Sequence, residues 1–502
     1  MLQLRQPIWP GRPLRQSRPS PQHALADLVG DDHLVTDSAA SRWIRPLSRT
    51  RAGSILGRAP DELALSTGSL SAGALLGVGL LVAFGSGIAI LERGVAVLAI
   101  VLAVLDPIAG LAFAAVTLPQ REAQPIGPIG VPVLVAFAIG LGVILRLPLD
   151  RPRLRMGWVG WLGLAYLAIT AVSVTPILNG LPYAQAVTGI GLFLSLAAGG
   201  VLIAAGTVVL RDRDARPLIA LVLGSLAVAS LVAIVAFVKG GNPGHPLSGL
   251  MSQSSTDLRA YGPFYNSDYL GFAAAQAIVL AVGWAMYEQR YRRLASAIAV
   301  FAGIALVASF ARSGFLALAV GIVALAFMRN RWLGLVVLVF GGLLFGLAYE
   351  SLLQARVGLT YGGAAGNALS VLSQSDAGRS GAALAGVQIF LTAPLFGVGF
   401  GQFHFVSPRF VGLTGVTFPH DIFVGILAEQ GILGVILFGA LIVAIIVAMR
   451  RSGHPLAVPI GALGITYVVG SLFIDSFTTL QTSILFWLCL AVVLSRPRVA
   501  AG

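Results

Sequence analysis

Apolar runs of about 20 residues follow one another along most of this chain, and they restrict the folds that are open to it. Hydrophobic residues make up 57% of the 502 residues, and charged residues make up only 11%. A soluble domain of this length cannot bury that much apolar surface, so the expected solvent is a lipid bilayer. We predict an all-α fold, a polytopic transmembrane helical bundle with about 12–14 membrane segments, over residues 69–498.

Two of the apolar runs do not fit a single crossing. The run 294–328 is too long for one pass and has Arg312 at its middle, which predicts a helical hairpin with Arg312 at its tip. The run 94–118 contains Asp106-Pro107, and a proline inside a helix removes a hydrogen bond and breaks the helix. We therefore expect two short halves in this run.

The basic residues mark one side of the predicted bundle. The chain has 33 Lys and Arg and a net charge of +13, and most of these residues lie in the tail 1–68 or in short loops between apolar runs. Short arginine-rich loops stay on the cytoplasmic side of a membrane, so the pattern indicates a multi-pass membrane protein and no nucleic-acid partner. Both termini are cytoplasmic if the run 94–118 crosses twice or re-enters; with a single pass the tail lies outside.

Three segments differ from the apolar runs in composition. The tail 1–68 is polar, rich in Arg and Pro, and predicted to be disordered. Two long extracytoplasmic loops are expected on the opposite side, at 239–266 and 351–419. The second loop contains the apolar stretch 382–399, which is predicted to be a helix lying at the membrane interface followed by a turn. Long loops on such a scaffold commonly carry function.

Three arginines on the predicted outer side are candidates for anion binding. Arg312 lies inside an apolar run, where an arginine costs at least ~2.5–3.5 kcal/mol and therefore marks a site or anchors the hairpin at headgroup level. Arg259 lies where the first long loop returns to the membrane. Arg379 either snorkels at the start of the interfacial helix or presents its planar fork to a phosphate. The aromatic residues near Arg259 are expected to form an interfacial belt: Tyr261, Phe264, Tyr265 and Tyr269.

A histidine and two carboxylates lie where the second long loop returns to the membrane. Histidine has a reference pKa of about 6.5, so the imidazole of His420 can accept a proton at neutral pH. Asp421 follows His420 directly, and Glu429 lies about two turns into the next apolar run. Most loop histidines are ordinary polar surface, and Glu429 is equally explained as a structural group inside the bundle.

The combination of these groups favours a phosphate-bearing substrate. Arginines suit a phosphate or pyrophosphate anion, and a histidine suits the deprotonation of a hydroxyl. The chain has no His-x-x-x-His pattern, and Cys489 is its one cysteine. The predicted chemistry is therefore the handling of a lipid-linked phosphate at the outer face, without a metal ion or other cofactor.

The same residues carry a resemblance to a known family. Four motifs resemble, in their order and spacing, those of bacterial O-antigen ligases and the related polymerases: Arg259 before GPFYNSDYLG, Arg312-Ser-Gly in an apolar run, Arg379 followed by PLFGVGFGQF, and His420-Asp421 followed by LAEQGILG. The similarity spans roughly residues 261–434. The helices nearer the amino terminus fit the family only in hydropathy.

The resemblance implies a GT-C-like, metal-independent glycosyltransferase of the bacterial cytoplasmic membrane, acting in cell-envelope polysaccharide assembly. Its donor would be a glycan linked to polyprenyl pyrophosphate, and its acceptor a hydroxyl of a glycan or glycolipid outside that membrane. Arg259 and Arg312 would hold the pyrophosphate as it leaves, and His420 would be the general base on the acceptor hydroxyl. Further substrate contacts would come from four residues: Arg379, Asn266, Asp421 and Glu429.

Two positions depart from the family pattern. Asp421 stands where the family usually has Asn, which would raise the basicity of His420 or change the acceptor. The aromatic residue that often follows the Arg379 position is absent, because the segment 382–384 is Ala-Ala-Leu.

Two other functions stay open from the sequence. A transporter or flippase for a polyprenyl-linked sugar or a small anion would use the same arginines without breaking a bond, although transporters tend to show two related halves. A structural membrane subunit would use the polar loop to dock a partner, but it leaves the position of Arg312 unexplained. Within the glycosyltransferase hypothesis, ligase and polymerase need the same residues and are not separated.

Overall fold

The computed structural model describes residues 65, 67–117, 130–150, 157–178, 183–211, 213–238, 259–264, 266–361, 368–411, 419, 421–474 and 479–495. All regular secondary structure in these ranges is helical, which confirms the predicted all-α class. Almost all of the tail 1–68, residues 239–258 of the first predicted loop, and His420 lie outside the described residues.

The helices follow one another in this order: α1 (Thr67–Ser86), α2 (Ala89–Leu105), α3 (Pro107–Thr117), α4 (Val131–Asp150), α5 (Trp158–Leu178), α6 (Tyr183–Val209), α7 (Arg216–Val238), α8 (Ser267–Tyr287), α9 (Arg292–Ser309), α10 (Arg312–Arg329), α11 (Arg331–Tyr361), α12 (Ala368–Thr392), α13 (Phe403–Val406), α14 (Pro408–Val411), α15 (Ile422–Arg451), α16 (Ala457–Gly470) and α17 (Leu480–Leu494). A single 3₁₀ turn, Gln289–Tyr291, joins α8 to α9 among the described residues.

The helices have the composition of a polytopic membrane protein. Within the described ranges, seven helical segments are long and apolar enough to cross a membrane, and they lie in α6 to α11 and α15. Six further apolar helices in the same ranges are shorter. The polytopic helical fold is thereby confirmed, while the number of 12–14 crossings stays a prediction.

Helix α8 lies at the centre of the bundle. It is buried along most of its length and packs against α7, α9, α10, α16 and α17. The crossing with α10 is close because two glycines meet there: a Cβ on Gly314 would lie 2.7 Å from the backbone of Gly271. Small residues allow membrane helices to approach in this way, and the gain is van der Waals contact rather than the hydrophobic effect. Helix α11, in contrast, exposes most of its apolar side chains.

The break predicted at Asp106-Pro107 is present. Helix α2 ends at Leu105 and α3 begins at Pro107, with Asp106 Oδ1 accepting hydrogen bonds from the amides of Ile108 and Ala109 at 3.0 and 3.3 Å. The side chain of Asp106 therefore caps α3 while Pro107 occupies its first position, where the missing N–H costs nothing.

After this break the chain reverses its direction. Helix α3 runs parallel to α1, since Gly73 lies against Ala109 and Gly77 against Val116. The run 94–118 is thus not one straight pass, which favours the arrangement that leaves the tail on the same side as the arginine-rich loops.

Two of the arginine-rich loops, 211–216 and 288–293, lie together at one end of the bundle. Arg216 at the start of α7 forms a 3.0 Å ion pair with Glu288 at the end of α8. At the same end Gly283 of α8 lies against Pro459, near the start of α16. The structure therefore groups loops that the charge pattern assigned to one side, and the side of the membrane on which they lie stays a prediction.

Helices α10 and α16 are antiparallel and connect the two ends of the bundle. Gly321 in the middle of α10 faces Thr466, and Met328 near its end faces Gly461. The start of α10, with Arg312, therefore lies beside the end of α16, opposite the arginine-rich loops.

The second predicted long loop is largely helical where it is described. Helix α11 continues to Tyr361, ten residues past the expected start of the loop at 351, because Leu, Gln, Ala and Arg favour helix. Helix α12 begins at Ala368, before the stretch 382–399. The change from apolar to polar residues near 351 therefore marks the end of the apolar run and not the end of the helix.

Close packing at Gly314 leads to a stability prediction. Gly314→Ala should destabilise the bundle by about 1–3 kcal/mol, because the added methyl group collides with the backbone of α8. Gly303→Ala in α9 is the matched control; nothing lies within 4 Å of its Cβ, so it should be neutral or stabilising by about 0.5–1 kcal/mol. Thermal unfolding of both variants in detergent, at one scan rate, tests this. Equal midpoints would show that the crossing tolerates a side chain.

Candidate functional site

The turn that joins α9 to α10 places Arg312 at the first position of α10. Phe310 ends α9 in the left-handed region, at φ 48° and ψ 30°, which costs a bulky residue about 1–3 kcal/mol. The next residue, Ala311, is fully buried against Gly271 of α8, and its amide donates to Ser309 Oγ at 3.3 Å. The predicted hairpin with Arg312 at its tip is confirmed, and its turn is held in place by α8.

Arg259 lies beside the same turn. The amide of the next residue, Ala260, donates to the carbonyl of Ala308 at 3.0 Å, four positions before Arg312. Arg259 is buried, and its Nη1 lies 3.7 Å from Oδ1 of Asp268 in the first turn of α8. The two arginines predicted to bind an anion therefore belong to segments in direct contact.

The segment after Arg259 folds inward over α7. Gly262 has a φ of +53°, and a Cβ there would lie 2.7 Å from Ala233. Tyr261 and Phe264 are consequently buried in protein. The predicted aromatic belt is wrong for these two residues, because the segment covers them instead of presenting them to the interface; Tyr265 lies outside the described residues.

The start of α15 reaches the same end of the bundle. The amide of Ile422 donates to the carbonyl of Ser471, directly after α16, at 3.1 Å. Since the end of α16 lies beside the start of α10, the first turn of α15 and Arg312 are at one end. His420 itself lies outside the described residues, two positions before Ile422.

Two of the predicted substrate-binding residues cap helices. Asp421 Oδ1 accepts from the amides of Phe423 and Val424 at 2.8 and 3.2 Å, at the start of α15. Asn266 Oδ1 accepts from the amide of Tyr269 at 2.9 Å, at the start of α8. Asp and Asn cap helices equally well, so the replacement of the usual Asn by Asp421 preserves the cap. Contacts of both residues with a substrate stay predictions.

Helix α15 is interrupted where the apolar run looked continuous. Gly431 has φ 66° and ψ −164°, and the segment 394–402 lies in the break. An interrupted helix inside an apolar bundle needs new partners for its backbone groups. Three backbone hydrogen bonds of 2.9–3.0 Å supply them from this segment: Ile432 N to Pro394 O, Val398 N to Ala428 O, and Gly399 N to Glu429 O.

The glycines of the PLFGVGFGQF motif make this insertion possible. Gly397, Gly399 and Gly401 have φ of 68°, 110° and 77°, a region that glycine alone adopts readily. A Cβ on Gly397 would lie 2.2 Å from the backbone of Glu429, and a Cβ on Gly401 would lie 2.8 Å from Gly189 of α6. This part of the motif therefore serves the packing of the inserted segment between helices.

Glu429 contacts the inserted segment. Its Oε1 accepts from the amide of Phe403, the first residue of α13, at 2.9 Å. Glu429 lies eight residues after Asp421, which places it about 12 Å deeper along α15 than the helix start. The structure thus gives Glu429 a partner in α13, and its predicted contact with the substrate stays a prediction.

A buried polar contact next to Glu429 was missed in the sequence. Gln430 Nε2 donates to the hydroxyl of Tyr166 in α5 at 3.3 Å, and Thr170 Oγ1 lies 3.5 Å from Gln430 Oε1. All three side chains are buried. A glutamine within an apolar run was the one available signal, because polar groups at that depth need partners. The partners themselves lie more than 250 positions away in the sequence, on α5.

Arg379 lies inside α12, which begins at Ala368, and not at the start of a helix as expected. The second half of α12 runs along α15 in the same direction, with Gly386 against Val424. Arg379 is about 10.5 Å before Gly386 along its axis, and Asp421 is about 4.5 Å before Val424, at 1.5 Å per residue. Half-buried Arg379 therefore extends about 6 Å beyond the start of α15. A helix lying flat at the interface does not describe this half of α12.

The predicted outer side has two other histidines, and the structure describes one of them. His245 lies outside the described residues, and His404 lies in the short helix α13. Burial lowers the pKa of His404 below its ordinary value. Within the described ranges no three His, Cys, Asp or Glu side chains are grouped so as to hold a metal ion. Independence from metal ions stays a prediction.

The fold and these contacts define a polytopic helical membrane protein in which two arginine-bearing segments are in contact at one end of the bundle, and the first turn of α15 lies at the same end. Residues 297–439 match the family model of O-antigen ligase. The match includes Arg312, Arg379 and His420, so the resemblance is confirmed over this segment, whereas Arg259 lies outside it. It supports a membrane glycan ligase or polymerase. A comparison with curated proteins found no match for the chain.

Asp421 is needed either for its oxygen, which caps α15, or for its negative charge, and two substitutions distinguish these explanations. Asp421→Asn should keep the stability of the protein, because an amide oxygen also accepts from the amides of Phe423 and Val424. Asp421→Ala should cost about 0.5–2 kcal/mol. Unfolding midpoints in detergent provide the comparison. If Asn were as damaging as Ala, the carboxylate charge and not the cap would be what α15 needs.

Glu429 leads to a second pair of variants. Glu429→Gln retains an oxygen that accepts from Phe403 N, so it should remain folded with little loss of stability. Glu429→Ala leaves that amide without its acceptor and should cost about 1–3 kcal/mol. Protease sensitivity of the segment 394–402 in each variant reports on the insertion directly. Intact protection in Glu429→Ala would mean that the three backbone bonds suffice.

Proposed function

We propose that the protein is a metal-independent glycosyltransferase, a ligase or polymerase, that moves a glycan from polyprenyl pyrophosphate to an acceptor hydroxyl on the outer face of the cytoplasmic membrane. The observation that supports this proposal is that the segments of Arg259 and Arg312 are in contact and that the start of α15 lies at the same end of the bundle. Two permanent cations at the end of the bundle where the helix after His420 begins suit a reaction in which a pyrophosphate leaves and a hydroxyl attacks.

In this proposal the two arginines stabilise the charge of the leaving group. The bond between the anomeric carbon and the pyrophosphate oxygen breaks, and the pyrophosphate keeps the electron pair. Arg259 is buried, so its attraction to an anion is screened less than it would be in water. Removal of one well-placed donor in a comparable site costs about 2.7–4 kcal/mol at the transition state. Arg379, which extends beyond the start of α15, would make a further anion contact.

The second half of the reaction needs a base on the acceptor. The acceptor oxygen attacks the anomeric carbon, and its proton passes to the imidazole of His420. The assignment is supported by the residues that follow, since Asp421 caps α15 and Ile422 is bonded to Ser471. General base catalysis requires the base to lie within hydrogen-bond reach of the proton, and the helix start that follows His420 is held in place by these two contacts.

The distribution of charge supports an orientation for this site. The arginine-rich loops 211–216 and 288–293 lie at the end of the bundle opposite Arg312. By the positive-inside rule that end is cytoplasmic, so the site would face outward and both termini would lie inside. Polyprenyl pyrophosphate carrying a glycan, with its anion at headgroup depth, would then reach the arginines from the outer leaflet.

The transfer reaction tests the proposal in vitro. Purified protein is mixed with polyprenyl-pyrophosphate glycan extracted from the source cells, with EDTA present throughout, and free polyprenyl pyrophosphate is measured. Arg259→Ala, Arg312→Ala and His420→Ala should each lower the rate about 10²–10³-fold. Arg290→Ala is the matched control, because Arg290 lies at the opposite end of the bundle over the ring of Tyr291. His404→Ala controls for the loss of an imidazole.

Other outcomes identify the alternatives. In one outcome, the protein binds the lipid-linked glycan in an Arg312-dependent way and leaves the glycan attached to its lipid with every acceptor tested. That result would indicate transport. Loss of turnover in EDTA that added Mg²⁺ or Mn²⁺ restores would refute metal independence alone. Equal rates for Arg312→Ala and Arg290→Ala would reject the arginine site.

A further inference from the structure

We infer that Asp268 is a positioning residue for Arg259: its carboxylate aims the guanidinium at the pyrophosphate of the donor. The inference rests on the proposed function and deepens it, since Asp268 lies in the motif GPFYNSDYLG but has no role assigned from the sequence. It concerns a residue that acts through another and does not itself need to touch the reacting atoms.

The geometry places the long side chain of Arg259 beside a short side chain, Asp268, on a helix. Arg259 lies on a segment without helix, and its long side chain has many rotamers to choose from. Asp268 lies in the first turn of α8, a helix buried along most of its length, and Asn266 caps that helix. With Oδ1 at 3.7 Å from Nη1, the carboxylate restricts where the guanidinium can lie.

The length of the contact indicates an electrostatic attraction that orients the guanidinium of Arg259, and not a close hydrogen-bonded ion pair. A charge-assisted hydrogen bond between arginine and a carboxylate measures about 2.7–2.9 Å, which is shorter than the 3.7 Å observed here. The pair is therefore held by charge more than by paired donors and acceptors. A pyrophosphate, with more charge and more oxygens, offers the guanidinium the closer partner.

The start of α8 suits a negatively charged side chain beside an anion site. The first amides of a helix carry a partial positive charge that stabilises a negative group in the first turn. Asp268 also offsets one positive charge while the site is empty, which lowers the cost of keeping Arg259 buried. The same carboxylate repels the pyrophosphate of the bound donor. Asp268 therefore weakens donor binding while it orients the guanidinium of Arg259.

These opposing effects predict a split between KM and kcat. Repulsion acts on the bound donor before and during the reaction, whereas the aim of Arg259 matters most when the leaving group gains charge. Asp268→Asn, which keeps the shape and removes the charge, should lower KM for the donor about threefold and lower kcat about tenfold. A residue needed only for folding would reduce the amount of active protein without lowering KM.

The chain supplies a matched control at the other end of the same helix. Glu288 pairs with Arg216 at 3.0 Å, so Glu288→Gln also removes one ion pair from α8, far from the site. It should leave KM and kcat within about twofold of wild type, as expected for a partly exposed pair. Asp268→Glu restores the charge and should recover part of kcat.

The experiment measures donor turnover and donor binding for wild type, Asp268→Asn, Asp268→Glu and Glu288→Gln, each first shown to be monodisperse in detergent. The expected result is the split in Asp268→Asn alone, together with about threefold tighter binding of polyprenyl pyrophosphate. Unchanged kinetics in Asp268→Asn, or identical changes in Glu288→Gln, would overturn the inference.

A failure of the proposed function is distinguishable from a failure of this inference. If wild type binds polyprenyl pyrophosphate but never releases it from the glycan-linked donor, the proposed reaction is wrong. The role of Asp268 is then tested by the affinity of wild type and Asp268→Asn for polyprenyl pyrophosphate. If wild type turns over and Arg259→Ala does not, while Asp268→Asn equals wild type, only the positioning role is wrong.

Discussion

The interruption of α15 at Gly431 is the constraint on which the architecture around the site depends. Inside an apolar bundle, backbone N–H and C=O groups freed by such a break must find protein partners. The segment 394–402 provides them, and its three left-handed glycines are what let its backbone approach closely enough. Glu429 adds a side-chain bond to the same segment. One glycine in a helix therefore requires a matching glycine pattern some thirty residues earlier.

The inserted segment also explains why α12 runs beside α15. With the carboxyl end of α12 drawn into the break, Gly386 lies against Val424 and Arg379 projects beyond the start of α15. The first turn of α15 is held separately, by the cap of Asp421 and by the bond from Ile422 to Ser471. The start of α15, which follows His420, is thus held by a cap on its own amides and by a hydrogen bond to the residue after α16.

The arginines differ in the way the protein holds them. Those in the loops at one end, such as Arg216, are partly exposed and pair with carboxylates or aromatic rings nearby. Arg259 is buried beside a turn that contains the strained residue Phe310 and carries Arg312. Strain and buried charge are both costly, and both occur together here. In a bundle that is otherwise apolar, this concentration is what distinguishes the candidate site from a simple topology signal.

Hydropathy and proline placement were enough to predict the helical class, the hairpin at Arg312 and the break at Asp106-Pro107, because these features depend on local composition and on the length of a membrane span. Local signals could not distinguish the cap formed by Asp421 from a substrate contact, and they described α15 as continuous, since a glycine in an apolar run is common and its partner lies elsewhere. The pairing of Arg259 with Asp268, the burial of Tyr261, and the partnership of Gln430 with Tyr166 were decided by the tertiary structure alone. Each depends on which helices become neighbours, and that choice is made by packing between segments far apart in the chain.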